Sequence, residues 1–438
     1  MDPLLLSAFV GVTTILVLFS GISIGIGLLV VSGLFLIMFS GMRSLELMPE
    51  IFFGKLDSFA LLSIPMFILM GSTISSTREG ADLYEALERW LTKVPGGLVV
   101  SNLGACAMFA AMSGSSPATC AAIGKMGIPE MVKRGYPEGI ATGSIAAGGT
   151  LGILIPPSIT MIVYGIATET SIGRLFLAGV MPGLMLVGLF MAWSIYATWR
   201  SGNRALMTPH NYSWREKFEV LPRVLPFVAI IVGVLYAMYG GVATPSETAA
   251  VGALLCLIIA MIIYRLTSPK KLWTILRDST KESVMILFII AAAGVFSYML
   301  SSLYITQAIA EWIGALDIAP WQLMILVNVF LIIAGFFLPP VAVILMTAPI
   351  LLPVIINAGF DPIWFAVVLT INMEIGLISP PVGLNLYVIN GIAPDISLKT
   401  ILLGSLPFVG CMIVAIFLLY LFPSIATWLP EAVMGSTQ

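Results

Sequence analysis

The segment AMFAAMSGSSPATCAAIG (residues 107–124) places a polar interruption inside an apolar stretch. Between Met112 and Ala118 lie three serines, one glycine and one proline. The apolar runs on either side are long enough to enter a lipid bilayer but short for crossing it. Backbone that leaves a helix at membrane depth must find new hydrogen-bond partners or line a water-filled cavity. The segment is therefore either a linker between two membrane helices or a site inside the membrane.

The composition of the whole chain indicates an integral, polytopic membrane protein. Of the 438 residues, 59% are hydrophobic and 10% are charged, whereas soluble domains contain about 25% charged residues. The four cysteines lie in apolar segments without metal-type spacing, and indicate neither a disulfide framework nor a metal site. Apolar stretches that fit complete spans recur at 4–19, 22–39, 58–77, 136–168, 174–199, 224–239, 248–264, 282–303, 362–392 and 401–422.

Clusters of basic residues predict the orientation of the chain. Ten of its twenty Lys and Arg residues fall in 200–223 and 265–281, and the positive-inside rule places both segments in the cytoplasm. Lys125, Lys133 and Arg134 place the end of the interrupted apolar stretch 96–134 on the same side. Counting spans outward from these anchors predicts that both termini are external.

The polar interval 78–93 predicts an amphipathic helix. Leu83, Leu87, Trp90 and Leu91 recur at helical spacing with charged residues between them. Such a helix either lies along the membrane interface or is a solvated connecting helix.

The chain contains an internal repeat with a period of 224 residues. Because proline and glycine are the strongest backbone punctuators, their coincidence in one register indicates a structural repeat. The halves are 3–199 and 224–422, and the same shift lays SGSSP on FLPPV, which interrupts the apolar stretch 321–356. The coinciding residues are Pro129 with Pro353, Gly135 with Gly359, Gly152 with Gly376, and Pro156-Pro157 with Pro380-Pro381.

The repeat and the predicted orientation together define a fold class. The span count gives the two halves opposite orientations, and each half contains a re-entrant hairpin followed by a helix broken at Pro-Pro. We therefore predict an all-α polytopic membrane protein with two inverted repeats. Secondary transporters with this layout bind substrate and coupling ions near the bilayer midplane, at the discontinuous helices.

The breaks supply oxygen atoms without formal charge, which suit a hard monovalent cation such as sodium. In the first half, serine hydroxyls of the tip meet carbonyls freed at AAGGTLGILIPPS (146–158), near Gly152, Ile155 and Pro157. In the second half, the equivalent oxygens belong to Gly376, Ser379 and Val382, with the backbone around Pro339-Pro340. The alternative is that these residues provide only kinks and tight packing.

The tips also predict an anion-binding site, because free N–H groups and the dipole at helix N-termini favour negative charge. Ser115, Ser116, Thr119 and Thr347 are plausible donors to a substrate, and Asn372 could orient a polar group. Glu374 is an ionisable residue inside a predicted span and is functional by default. It could bind a cation, a proton, or a substrate amine or hydroxyl; the alternative is a shielded structural hydrogen-bond partner.

Two kinds of enzyme are excluded by the sequence. An intramembrane serine protease needs a base beside its serine, and the single histidine, His210, lies in the polar loop 200–223. No phosphate-binding P-loop sequence is present, so the chain carries no ATPase of its own. We predict that it is not an enzyme.

Three segments carry a resemblance to a known family. MSGSSPATCAAIGKMGIPEMVKRGYPEGIATGSIAAGGTLGILIPPSI (112–159) resembles the first-hairpin region of the DctM-like large membrane subunit of tripartite ATP-independent periplasmic (TRAP) transporters. LPPVAVILMTAPILLPV (338–354) and INMEIGLISPPVGLNLYVI (371–389) resemble the second-hairpin region. The resemblance covers essentially the whole chain.

This resemblance implies a sodium-coupled importer of carboxylates, including C4-dicarboxylates and sialic acids, in a bacterial or archaeal inner membrane. Such a subunit pairs with a small four-helix membrane subunit, here necessarily a separate chain, and receives substrate from a periplasmic binding protein. It works by an elevator motion of a transport domain against a scaffold. Carried onto this chain, at least two sodium ions would use Ser113, Ser116, Gly152, Ile155 and Pro157 at one site, and Pro339 or Pro340, Gly376, Ser379 and Val382 at the other.

The predicted domain organisation follows from the same reasoning. It comprises first-repeat scaffold helices and an amphipathic arm (1–95), the first transport region (96–172), a helix and basic loop (173–223), second-repeat scaffold helices and arm (224–320), the second transport region (321–397), and a last helix with the C-terminal tail (398–438). Two other functions compete with a TRAP subunit: a stand-alone ion-coupled anion transporter of related fold, and a passive channel.

Overall fold

A computed structural model describes residues 3–91, 94, 96–201, 212–316 and 318–435, and all regular elements in these ranges are helical. His210 lies outside the described residues. The first repeat contains α1 (Pro3–Phe19), α2 (Ile24–Ser40), α3 (Leu47–Leu56), α4 (Ser63–Ser75), α5 (Glu79–Leu91), α6 (Gly97–Ser113), α7 (Ser116–Lys133), α8 (Glu138–Thr150), α9 (Ile159–Thr168) and α10 (Ile172–Arg200). The second contains α11 (Trp214–Tyr239), α12 (Pro245–Ile263), α13 (Pro269–Ser302), α14 (Ile305–Ala315), α15 (Pro320–Phe337), α16 (Pro340–Asn357), α17 (Pro362–Leu377), α18 (Leu384–Ile392), α19 (Leu398–Leu421) and α20 (Ser424–Met434).

The helix boundaries confirm the repeat. A shift of 224 residues carries α6 and α7 onto α15 and α16, and α8 and α9 onto α17 and α18, within a few residues at each end. Gly135 and Gly359 both have positive φ angles, of 86° and 85°. The Pro156-Pro157 and Pro380-Pro381 peptide bonds are both cis. The glycine and proline pairs therefore mark the same local backbone in both halves.

The structure is that of a multi-pass membrane protein. Within the described ranges, seven helices are long and apolar enough to cross a bilayer, and the pair formed by Met42–Leu56 and Phe59–Ser75, bent by 60°, makes eight. Five further apolar helices are shorter: α1, α2, α6, α9 and α17. The predicted spans 136–168 and 362–392 are each made of two helices separated at Pro-Pro, as the sequence indicates.

The two repeats differ where the first is bent. α3 and α4 are separate helices, whereas the corresponding part of the second repeat is the single 34-residue helix α13. The break follows Asp57, whose φ of −83° and ψ of 59° lie outside the helical region. The internal symmetry is therefore closest in the hairpins and broken helices.

The amphipathic helix predicted over 78–93 is present as α5. Part of its apolar face packs against α6, α7 and α11. Leu83 is fully buried, and the indole N–H of Trp90 donates to the carbonyl of Lys217 at 3.1 Å. Of the apolar stripe, Leu83 is buried against neighbouring helices, whereas Trp90 remains partly exposed.

The repeats interlock through their long helices. α19 of the second repeat packs along α8 of the first, and α10 of the first contacts α17 of the second. At the α8–α19 crossing, Gly143 approaches Gly404 so closely that a Cβ on either glycine would meet backbone atoms of the other helix. This packing brings the broken helices of both halves into the interior of the molecule.

Candidate functional site

The first hairpin tip is a two-residue turn built on a glycine. α6 ends at Ser113, the next residue, Gly114, adopts the left-handed conformation (φ 61°, ψ 15°), and Ser115 is extended before α7 begins at Ser116. Glycine adopts positive φ without the steric cost that a Cβ brings. Pro117 occupies the first turn of α7, where its missing N–H costs no helical hydrogen bond. The SGSSP interruption is therefore a tight reversal between two helices.

This tip sits directly against the first Pro-Pro break. A Cβ at Gly152 would lie 2.7 Å from the carbonyl carbon and oxygen of Ser115 and 2.9 Å from the amide nitrogen of Ser116. A Cβ at Gly114 would lie 2.9 Å from the carbonyl oxygen of Pro157. The structure thus brings Ser115, Ser116, Gly152 and Pro157 together.

Hydroxyl groups cluster at the same place. The Ser113 and Thr119 hydroxyl oxygens are 3.1 Å apart, and the Thr119 hydroxyl donates to the Ser115 carbonyl at 2.9 Å. The Ser116 hydroxyl donates to the Thr150 carbonyl at 3.3 Å, which ties the tip to the end of α8. Ser113, Ser116 and Thr119 are all buried. The junction therefore offers a compact set of neutral oxygens inside the protein.

Among the residues of the predicted first sodium site, Ile155 is the one whose side chain packs away from the hairpin tip. Its side chain lies against α10, 2.9 Å from the position that a Cβ on Gly183 would take. Its amide donates to the Leu151 carbonyl at 2.9 Å, within the break itself.

The second tip has a different local geometry. Leu338 and Pro339 are both extended (φ −117° and −64°), and no residue of that connection takes the left-handed conformation that reverses the first tip. α15 packs mainly against α17, and α16 packs mainly against α9. In the second tip, where prolines replace the serines, α15 and α16 therefore diverge and pack against other helices. We call this arrangement a splayed hairpin.

Only some residues of the predicted second sodium site lie close together and buried in this structure. Gly376 lies against Gly335, one turn before the tip, so that a Cβ on Gly376 would overlap the Gly335 carbonyl. Ser379 is buried, and its amide lies 3.5 Å from the Gly376 carbonyl. Pro339 and Val382 are exposed and Pro340 is partly buried.

Among the predicted substrate residues, Asn372 forms a polar link that the sequence reasoning missed. Its side-chain amide donates to the side-chain oxygen of Asn328 on α15 at 2.6 Å, and to the Val368 carbonyl at 2.8 Å. Asn328 was visible as a polar residue inside the apolar stretch 321–337, but nothing in the sequence identified its partner. The Thr347 hydroxyl donates within its own helix, to the Val343 carbonyl at 2.7 Å.

Glu374 is completely buried at the end of the α17 region. Within the described ranges, neither of its carboxylate oxygens forms a hydrogen bond of normal geometry. Its polar neighbour is Thr150, which is also the residue 224 positions earlier. Glu374 therefore lies where equivalent points of the two repeats meet, beside the helix end that the Ser116 hydroxyl contacts.

Two buried asparagines were also missed by the sequence reasoning. The side-chain amide of Asn385 donates to the Ala146 carbonyl at 3.4 Å, linking α18 to α8 across the repeats. Asn102 on α6 is fully buried, and its side chain has no hydrogen-bond partner in the part of the chain that the structure describes.

The sequence that forms these hairpins and broken helices matches a known family. A family profile described as "Tripartite ATP-independent periplasmic transporter, DctM component" matches residues 11–425. The chain belongs to this DctM family. It is therefore a transport protein of the TRAP type and not an enzyme.

Curated relatives in the DctM family align over most of their own length. The C4-dicarboxylate TRAP transporter large permease protein DctM of Pseudomonas aeruginosa is 39% identical over 86% of this chain and 88% of that protein. The protein of the same name from Vibrio cholerae is 37% identical over 95% of both chains. The sialic acid TRAP transporter large permease protein SiaM of Vibrio cholerae is 30% identical over 96% of this chain and 97% of its own.

A solved structure supports the fold independently of sequence. The YdaH transporter of Alcanivorax borkumensis superposes with a TM-score of 0.64, covering 91% of this chain and 90% of that one, at 14% identity. At that identity the likeness concerns the fold alone.

Proposed function

We propose that this chain is the large membrane subunit of a sodium-coupled secondary transporter in a bacterial or archaeal inner membrane. It imports a small organic acid that a periplasmic binding protein delivers. Family membership supports transport, and the junction of the first hairpin tip with the first broken helix supports an ion site. That junction is the single observation that carries the proposal, because it concentrates neutral oxygens at discontinuous helices.

The first sodium site is formed by the Ser113 and Ser116 hydroxyls with backbone carbonyls of Gly152, Ile155 and Pro157. Sodium is a hard cation that neutral oxygens can hold, and charged ligands are absent from this set. The second site uses Gly376, Ser379 and Val382 with the backbone of Pro339 or Pro340. Since the second hairpin is splayed in this structure, we propose that closure of α15 and α16 completes that site.

The substrate is a carboxylate, with C4-dicarboxylates the best supported class. Three relatives named for C4-dicarboxylates are 36–39% identical, compared with 30% for the relative named for sialic acid. Within the described residues no side chain caps the N-terminus of α7, and since Pro117 has no N–H, the Ser116 and Ala118 amides are the groups that could donate to an anion there. Ser115, Ser116, Thr119, Thr347, Asn372 and Glu374 are the proposed substrate-binding residues.

The transporter needs two further proteins. One is a small four-helix membrane subunit, and the other is the periplasmic binding protein. The isethionate TRAP transporter permease protein DctMQ of Oleidesulfovibrio alaskensis is 32% identical, and this chain aligns with 63% of its length. The hairpins and broken helices (96–172 and 321–397) move as an elevator against the remaining helices.

Substitution of Ser116 by alanine is expected to raise the sodium concentration that gives half-maximal uptake about tenfold, since losing one ligand of about 1.4 kcal/mol changes an affinity by that factor. Uptake of a labelled C4-dicarboxylate into proteoliposomes measures this. Ser32→Ala is the matched control, because it removes a buried hydroxyl that donates to the Leu28 carbonyl of its own helix. Equal sodium dependence in wild type and Ser116→Ala would remove Ser116 from the site.

Substitution of Glu374 by glutamine is expected to reduce uptake at least about tenfold while leaving the protein folded. Glutamine keeps the size of the side chain but removes the acid that a cation or substrate group would recognise. The control is Glu311→Gln, at an exposed position on α14. Wild-type uptake by Glu374→Gln would assign Glu374 a packing role only.

A further inference from the structure

Glu79 is a buried carboxyl group that the proposed transport sites do not use. It is the first residue of α5 and is 0% exposed. Its backbone amide donates to the Thr77 hydroxyl at 3.2 Å. Neither side-chain oxygen has a hydrogen-bond partner among residues 3–91, 94, 96–201, 212–316 and 318–435. A bare carboxylate in such surroundings would be strongly destabilised by the loss of water.

The groups around Glu79 do not supply a compensating positive charge. Asp82 lies one turn further along α5, and its own carboxylate is engaged by the Arg223 guanidinium of α11 at 3.5 Å and by the Tyr264 hydroxyl at 2.9 Å. The thiol of Cys256 on α12 is close enough to Glu79 for the two groups to interact electrostatically. The Arg223 guanidinium is thus paired with Asp82, and the charge that acts on Glu79 is the negative charge of Asp82.

A proton fits this environment better than a metal cation. Hard cations require several oxygen ligands, and within the described part of the chain no group of three or more His, Cys, Asp or Glu side chains could hold a metal. Burial, together with the charge of Asp82, raises the pKa of Glu79 to about 10. A neutral carboxylic acid needs no counter-ion.

We propose that Glu79 is a proton-binding site, which holds a neutral carboxylic acid at neutral pH while the start of α5 is buried in the protein. In the proposed elevator motion, α7 belongs to the moving part and α11 to the fixed part, and α5 contacts both helices. Gly80 lies against Ala122 of α7, Glu88 pairs with Arg134 beyond the end of α7 at 2.5 Å, and Trp90 bonds to the Lys217 carbonyl of α11. Displacement of α7 relative to α11 therefore acts on the helix that encloses the proton.

The site makes the stability of the protein depend on pH. Below the ordinary carboxyl pKa of 4.5, both the folded and unfolded states bind this proton; between 4.5 and about 10, only the folded state does. The stabilisation is therefore complete at low pH and is lost progressively as the pH rises towards 10. The proposal does not depend on sodium coupling or on the identity of the substrate.

Infrared spectroscopy of the purified full-length chain tests the proposal. At about pH 7, the difference spectrum of wild type minus Glu79→Gln should contain the C=O stretch of a protonated carboxylic acid. The control Glu85→Gln changes a half-exposed residue of the same helix, with 42% of its side chain accessible, and should remove only carboxylate bands. A Glu79→Gln difference spectrum that contains only carboxylate bands would overturn the proposal.

Two further measurements test the proposal, and the first does so even if the Glu79→Gln variant does not fold well. Asp82→Asn removes the neighbouring negative charge, so the acid band of Glu79 should disappear at a lower pH than in the wild type. The Tm in detergent should fall more steeply between pH 5 and pH 9 for the wild type than for Glu79→Gln. An unchanged band titration in Asp82→Asn, or equal slopes of Tm against pH, would contradict the proposal.

Discussion

Substitution of Gly152 by valine is expected to abolish sodium-driven uptake, with a loss of at least about tenfold, while the protein still inserts and folds. A Cβ at this position would lie 2.7 Å from the Ser115 carbonyl group and 2.9 Å from the Ser116 amide. Because these are backbone atoms, the side chain cannot be accommodated by a rotamer change and the hairpin tip must move. Overpacking of this kind costs about 1–3 kcal/mol, and displacement of the tip separates the oxygens of the proposed sodium site.

The control for Gly152 is Gly188→Val in α10, where a Cβ would meet nothing within 4 Å. Uptake of a labelled C4-dicarboxylate at varied sodium concentration compares the variants, with size-exclusion chromatography confirming that both are folded. Wild-type uptake with wild-type sodium dependence in Gly152→Val would show that the tip-to-break contact is not part of the coupling site.

Substitution of Gly143 by valine is expected to destabilise the whole protein. The Gly143 Cα faces the backbone of Gly404, and any Cβ there would overlap the Gly404 carbonyl group. α8 and α19 belong to different repeats, so separating them opens the packing that joins the halves. We expect a loss of about 1–3 kcal/mol or more, measured as a lower Tm in detergent and a reduced yield of monodisperse protein.

Gly410→Val is the matched control for Gly143, because it lies on α19 itself and a Cβ there would meet nothing within 4 Å. Its Tm should remain close to that of the wild type. A Gly143→Val protein with the wild-type Tm would mean that the α8–α19 crossing contributes little to the association of the repeats.

The features that the sequence predicted are those set by local backbone chemistry. Gly114 and Pro117 specify a reversal whatever surrounds them, and the Pro-Pro pairs break their helices in both halves. The period of 224 residues was visible because glycines and prolines punctuate the backbone in one register. The tip serines were placed correctly beside Gly152 because the repeat pairs each hairpin with one broken helix.

The remaining features depend on which surfaces meet, and a periodic pattern does not contain that information. The apolar stripe of α5 was identified, but its covering by α6, α7 and α11 follows from tertiary packing. Asn328 and Asn372 lie 44 positions apart, and their pairing becomes visible only when α15 and α17 pack together. Glu79 reads as an ordinary charged residue of an amphipathic helix until its complete burial is seen.

The most direct test of the account is uptake of a labelled C4-dicarboxylate into proteoliposomes that contain this chain and its small membrane subunit. We predict accumulation only when an inward sodium gradient and the substrate-loaded binding protein are both present. Dissipation of the gradient should stop accumulation. Uptake that continues without the binding protein would indicate a stand-alone transporter, and uptake that continues without a sodium gradient would contradict sodium coupling altogether.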